Sequence, residues 1–132
     1  MDLGIKGKQA IVCASSKGLG RACAISLARN GASVVINGRD EEALGATARH
    51  IEGIADVTVI PIRADVGTPE GQNALLDACP KPDILVNNNG GPPFKDFREL
   101  DREAMLAGVT MNMVTPIELM QKVIDGMAER RF

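Results

Sequence analysis

"CASSKGLG", residues 13–20, follows the apolar run "AIV" and leads into "RACAISLARN", whose apolar residues recur at helical spacing. Small side chains and glycines leave the main chain bare between a strand and a helix. At such a junction, backbone N–H groups and the positive end of the helix dipole meet at one spot where a phosphate can sit. Ala14, Gly18 and Gly20 keep a one, five, seven spacing, not the one, three, six spacing of the GxGxxG dinucleotide fingerprint. On these residues alone, a phosphate cradle and a plain tight turn both remain open.

Working outward, "QAIVCA" reads as the first strand and residues 18–29 as the first helix, with Leu19, Ala22, Cys23, Ile25, Ser26 and Ala28 facing inward and Asn30 and Gly31 ending it. "SVVING" is the second strand, "DEEALGATARHIEG" a second helix with Asp40 as N-cap, and "VTVIPI" the third strand. "TPEGQNALLDAC" follows as a helix capped by Thr68 with Pro69 at its first position, and "DILVNN" as the fourth strand. After the glycine- and proline-rich "NGGPPFKDFREL", a long helical stretch begins at Asp101. Near-continuous apolar strands alternating with helices predict an α/β fold, a doubly wound parallel sheet covered on both faces.

The composition suits one soluble domain: 132 residues, 45% hydrophobic and 24% charged. A net charge of −2 without a dense Lys/Arg run gives no field for nucleic acid. No window approaches the roughly 18 apolar residues of a membrane span, and the start lacks a signal-like apolar stretch, so a cytoplasmic protein is expected. Cys13, Cys23 and Cys79 have no CxxC spacing, so neither a disulfide framework nor a metal site is expected. His50 reads as a solvated surface residue.

The end of the second strand bears on the cofactor. An acid there takes a ribose 2′-hydroxyl, whereas a nearby Arg accommodates a 2′-phosphate. Here "ING" is followed by Arg39, and Lys17 in the first loop points at the same region, so two cations converge on one phosphate. NADP is expected over NAD, with Asp40 left as an alternative partner for a ribose diol.

With "CASSKGLG", "RADV" at the end of the third strand and "NNNG" at the end of the fourth, the chain resembles the short-chain dehydrogenase/reductase family, whose motifs are TGxxxGxG and NNAG. The resemblance covers essentially the whole chain and implies a Rossmann-like NAD(P)-binding domain over residues 1–132. It implies that Ala14, Ser15, Ser16, Lys17, Gly18, Leu19 and Gly20 wrap the pyrophosphate side of the cofactor and that Arg39 holds the 2′-phosphate. Asp65 and Val66 would meet the adenine, while Asn87 to Gly90 brace the central strands, with Asn88 and Gly90 at the neighbouring ribose. Two positions depart from the motifs. Ala14 replaces a glycine and adds a methyl that should be tolerated; Asn89 replaces an alanine and adds a carboxamide of unassigned role.

Pro116, inside "VTMNMVTPIELMQ", removes the N–H that would bond the carbonyl of Asn112. Either the helix continues with a kink and a free Asn112 acceptor, or it breaks between Val114 and Pro116 with Asn112 as a cap. The family resemblance implies the first, with that carbonyl holding a water in a proton relay, which makes Asn112 the one catalytic candidate. Met105, Val109, Met113, Ile117, Met120, Ile124 and Met127 form an apolar stripe expected to pack in the core. The family adds packing of this helix against a twin subunit.

Family members carry Ser, Tyr and Lys beyond this helix, and these 132 residues contain no tyrosine. The domain is therefore expected to be incomplete on its C-terminal side, truncated after the fourth strand and the long helix, with the fourth strand's outer edge bare. The expected function is NADP-dependent hydride transfer between a ketone and a secondary alcohol, in the manner of 3-oxoacyl-carrier-protein reductases, with "GGPPF" bordering nicotinamide and substrate. The chain alone is expected to bind cofactor without turnover. A non-catalytic dinucleotide-binding or interaction module is the alternative. An S-adenosylmethionine-binding domain would account for the glycine loop but not for Lys17, Arg39 or "NNNG".

Overall fold

A computed structural model describes residues 2–91 and 94–132. Pro92 and Pro93, at the centre of the "GGPPF" loop, lie outside the described residues.

Four parallel strands, β1 (Gln9–Val12), β2 (Ser33–Gly38), β3 (Val59–Arg63) and β4 (Ile84–Val86), form one sheet in the order β3-β2-β1-β4. Helices α1 (Gly18–Arg29), α2 (Glu41–Glu52) and α3 (Pro69–Ala78) connect them in turn. The order reverses at β1, which pairs Val12 with Ile36 of β2 on one side and with Val86 of β4 on the other. Ligands of open α/β sheets bind in the crevice outside the strand ends at such a reversal. Among the described residues, no strand pairs with the outer edge of β4.

Strand alternation divides the core between the sheet's two faces. Ala10, Val12, Val34 and Ile36 pack with Ala24 and Ala28 of α1 and Leu44, Ala48 and Ile51 of α2. Ile11, Cys13 and Val35 pack on the opposite face with Val66, Leu75, Cys79 and Leu119. The caps follow the sequence. Asp40 accepts from the N–H of Ala43 at 3.1 Å and Thr68 from that of Gly71 at 3.1 Å. The strands are shorter or shifted: β1 stops at Val12, β3 starts at Val59, and β4 keeps three residues.

Two expectations about helix faces fail. On α1 the buried positions are Gly20, Ala24 and Ala28, whereas Leu19 is 80% exposed and Cys23 also lies outside. The helix approaches the sheet so closely that its contact face is made of the smallest side chains. The final segment comprises α4 (Arg102–Val109), a π turn (Thr110–Val114) and α5 (Thr115–Arg130). Thr115, Leu119 and Val123 face inward, while Met105, Val109, Met113, Ile117, Met120 and Ile124 are exposed. The apolar stripe is thus a surface feature and not core.

The helix does not break before Pro116. It widens, so that the N–H of Thr115 reaches the carbonyl of Thr110 five residues back. The wider turn accommodates a proline ring that would collide with the Asn112 carbonyl in α geometry.

Ala14 has φ +45°, a left-handed conformation in which a Cβ is strained by roughly 1–2 kcal/mol. The methyl expected to be harmless is therefore costly. Ala14→Gly is expected to raise unfolding stability by about 1 kcal/mol, part of the relief being offset by the freer unfolded chain. An unchanged or lowered urea midpoint would show that the conformation is not strained.

Candidate functional site

The first loop is fastened from below by its neighbours. Ser15 is fully buried, and its hydroxyl donates to the Val12 carbonyl at 2.7 Å and accepts from the N–H of Asn37 at 2.9 Å. Its own N–H donates to the carbonyl of Asn37 at 2.7 Å. Ser15 thus holds the loop from beneath, its hydroxyl and N–H both engaged by main-chain partners. The Ser16 carbonyl accepts from Thr47 Oγ1 at 2.9 Å, and Gly38 leaves the space that the Ser16 side chain fills.

Asn37 is the residue that the sequence reading passed over. It is buried, its Oδ1 accepts from the N–H of Ala14 at 3.0 Å, and its Nδ2 donates to the Ala64 carbonyl at 2.8 Å. One carboxamide therefore ties together the ends of β1, β2 and β3. A polar residue closing an otherwise apolar buried strand is the only sequence signal for it.

The N-terminus of α1 differs from those of α2, α3 and α4. Lys17, its N-cap, makes no side-chain capping bond, and no acid stands in the first turn. Gly18, at φ +57°, turns the chain into the helix. Gly20 is buried against the Ala14 carbonyl and Asn88 Nδ2, leaving no room for a Cβ. The orphan N–H groups and dipole of the helix are thus uncovered where the sheet reverses.

Beside it lies a cavity of about 140 Å³ lined by Ala14, Ser16, Asn37, Gly38, Arg39, Ala64, Asp65, Val66, Asn89 and Gly90. Ala14, Ser16, Arg39, Asp65, Val66 and Gly90, singled out in sequence, meet there. Lys17, Gly18 and Leu19 form the exposed flank of the loop. Asn88 turns back to the loop, donating from Nδ2 to the Ala14 carbonyl at 3.0 Å. Asn112 lies elsewhere: with Gly91, Leu100, Met105, Gly108, Val109 and Met113 it borders a larger apolar cavity of about 870 Å³. The segment after β4 runs between the two, with Gly90 on one and Gly91 on the other.

The two cations expected to converge each face a carboxylate. Lys17 Nζ lies 2.9 Å from Asp40 Oδ2, and Arg39 Nη1 lies 4.0 Å from Asp65 Oδ2. The Ala43 N–H, followed by Lys17, holds the Asp40 carboxyl below its usual range. Such exposed pairs are weak and salt-screened, so an arriving phosphate can compete for both cations. Burial of Cys13, beneath the loop, pushes its thiol up to about 11 against the opposing hydrogen bond from the Asn88 backbone. Among the described residues, no three His, Cys, Asp or Glu side chains are grouped to hold a metal, and no helix is long and apolar enough to cross a membrane.

A family model described as short chain dehydrogenase matches residues 8–132. The uncharacterized oxidoreductase YvaG of Bacillus subtilis (strain 168) is 35% identical over 99% of this chain and 50% of its own length. The L-xylulose reductase of Cavia porcellus is 32% identical over 98% of this chain and 51% of its own. The crystal structure of L-sorbose reductase from Gluconobacter frateurii, complexed with NADPH and L-sorbose, superposes with a TM-score of 0.90 at 32% identity. That superposition covers 98% of this chain and 51% of the reductase. The chain thus spans about half the length of these relatives.

Proposed function

The chain belongs to the short-chain dehydrogenase family, and from that membership we propose that it forms the NADP-binding portion of an oxidoreductase that exchanges a ketone and a secondary alcohol. The uncapped first turn of α1 behind Gly20, beside the cavity shared by Arg39, Asp65 and Val66, carries the reading. When bound, the dinucleotide supplies or accepts the hydride. The N–H groups of Gly18 to Gly20 hold the pyrophosphate, with Ser16 beside them. Arg39 and Lys17 leave their carboxylates to take the 2′-phosphate, and Asp65 and Val66 bound the adenine side. Asn88 fixes the loop from behind. Asn112 offers its carbonyl to a water, as the family resemblance implies. We assign residues 1–132 to a single Rossmann domain that other sequence completes.

These residues contain no tyrosine to protonate a carbonyl oxygen, so this portion binds without turnover by itself. A binding module that never turns over remains the second reading, favoured by the same absence. Two substrate classes divide the oxidoreductase reading. The apolar lining beside Asn112 favours the acyl chain of a 3-oxoacyl thioester, whereas the relatives named for L-xylulose and L-sorbose favour a ketose. Slowed amide exchange at residues 104–113 with one ligand and not the other separates them. The exposed methionine stripe suits packing against a second subunit, which sedimentation of the same sample tests.

Calorimetric titration with NADPH and NADH tests the central reading, with ketone reduction followed on the same sample. NADPH is expected to bind the tighter. Arg39→Ala should weaken NADPH about tenfold, as for one charge-assisted bond, and leave NADH nearly unchanged. Equal losses for both cofactors would remove Arg39 from the 2′-phosphate. Turnover by these residues alone would overturn the binding-only assignment.

A further inference from the structure

The carboxamide that the family resemblance left without a role makes two bonds. Asn89 Nδ2 donates to the carbonyl of Met111 at 3.1 Å, and Asn89 Oδ1 accepts from the N–H of Gly90 at 2.9 Å. Met111 lies in the π turn, next to Asn112. Asn89 also lines the smaller cavity, the one that holds Ala14, Arg39 and Asp65. It is therefore a direct bridge between that cavity and the turn bearing Asn112.

Its neighbours show why the bridge forms. The three carboxamides divide between two partners, with those of residues 87 and 89 bonding the last helical segment and that of residue 88 the first loop. Asn88 reaches the carbonyls of Cys13 and Ala14 in the first loop. Asn87 Nδ2 reaches the Pro116 carbonyl at 3.5 Å, on the far side of Asn112 from Met111. Asn87 and Asn89 thus grip the helix on both sides of Asn112, one within the widened turn and one just beyond it. A helical Thr hydroxyl commonly bonds the carbonyl four residues back, which for Thr115 is that of Met111. Thr115 Oγ1 is instead buried without a partner among the described residues, and Asn89 takes the Met111 carbonyl.

We propose that Asn89 is a positioning residue that clamps the π turn bearing Asn112 to the dinucleotide cavity, so that filling the cavity stiffens the turn. The clamp stands on the geometry alone; the coupling rests on the dinucleotide reading above. A π turn widened by Pro116 has lost part of its own ladder and depends on such outside donors to fix the direction of its carbonyls. Asn89 supplies one from the wall of the cavity.

Residue-resolved amide hydrogen exchange of the chain tests both parts. Without ligand, Asn89→Ala should speed exchange at residues 111–114 about fivefold, as expected for one hydrogen bond, and leave β1 and α2 unchanged. Asn89→Asp, which turns an acceptor toward the Met111 carbonyl, should do at least as much, and Asn89→Gln should restore part of the protection. No local change in the Ala variant, or a uniform change across the sheet, overturns the clamp. With NADPH, the parent chain should slow exchange at residues 15–20 and at 111–114, and the Ala variant only at 15–20. Equal slowing at 111–114 in both overturns the coupling. If neither NADPH nor NADH slows residues 15–20 in the parent, the dinucleotide reading and the coupling fall together, while the ligand-free comparison still decides the clamp.

Discussion

Asn37→Asp is expected to lower unfolding stability by about 3–5 kcal/mol at neutral pH, the scale of an uncompensated buried charge. The two side chains have the same shape, so no cavity or clash contributes. The change replaces the Nδ2 donor facing the Ala64 carbonyl with a second acceptor in a site without solvent. Only the N–H of Ala14 remains to satisfy a carboxylate there. Domains of this size have about 5–15 kcal/mol in total, so the urea midpoint should fall by roughly 2 M.

The sign with pH is fixed. Burial raises the folded-state pKa of the new carboxyl above its unfolded value of about 3.9. Its protonated form is then the one the fold tolerates, because it regains a donor. The deficit should be small below the unfolded pKa and open as pH rises above it. A variant as stable as the parent at pH 7 would mean that the loop ends are not held by this carboxamide.

Gly20→Ala is the second large effect, and it runs against helix propensity. Alanine favours a helix over glycine by about 1 kcal/mol, yet here the added Cβ meets the Ala14 carbonyl oxygen and lies 2.8 Å from Asn88 Nδ2. The obstacle is mainly backbone, and Ala14 is already left-handed, so the loop must move as a unit. Stability is expected to fall by about 1–3 kcal/mol, as in other overpacked sites. NADPH affinity should fall at least tenfold, because the N–H groups above Gly20 shift with the loop. Calorimetry and urea unfolding on one preparation check both, and unchanged NADPH binding would take Gly20 out of the cradle.

The architecture was legible because its signals are local. Thr68 with Pro69, Asp40 and Asp101 each announce a helix start through a side chain bonded a few residues on. The glycine loop after β1 likewise announced its backbone. Helix faces were less legible, since a contact face of Gly20, Ala24 and Ala28 carries little hydrophobicity, while Leu19 and Cys23 imitate a core stripe. The same bias toward large apolar residues put the methionines of the last helix inside, when Leu119 and Val123 are the residues that pack. Asn37 and Asn89 were illegible as junctions because their partners are 22 to 27 residues away. The pairing of Lys17 with Asp40 likewise depends on a loop approach that charge sign alone does not specify.

The central position of β1 also favours one order of assembly. Ala10 joins Val34, a neighbour 24 residues on, and also Ile84, 74 residues on. Closing the longer loop costs about 1 kcal/mol more in chain entropy, so the β1–β2 pair has the shorter route to its contacts. The bond from Asn88 to the Ala14 carbonyl spans the same 74 residues and cannot exist before β4 docks. The first loop is therefore anchored in two stages, to Asn37 and Thr47 nearby in sequence and to Asn88 only once β4 is in place.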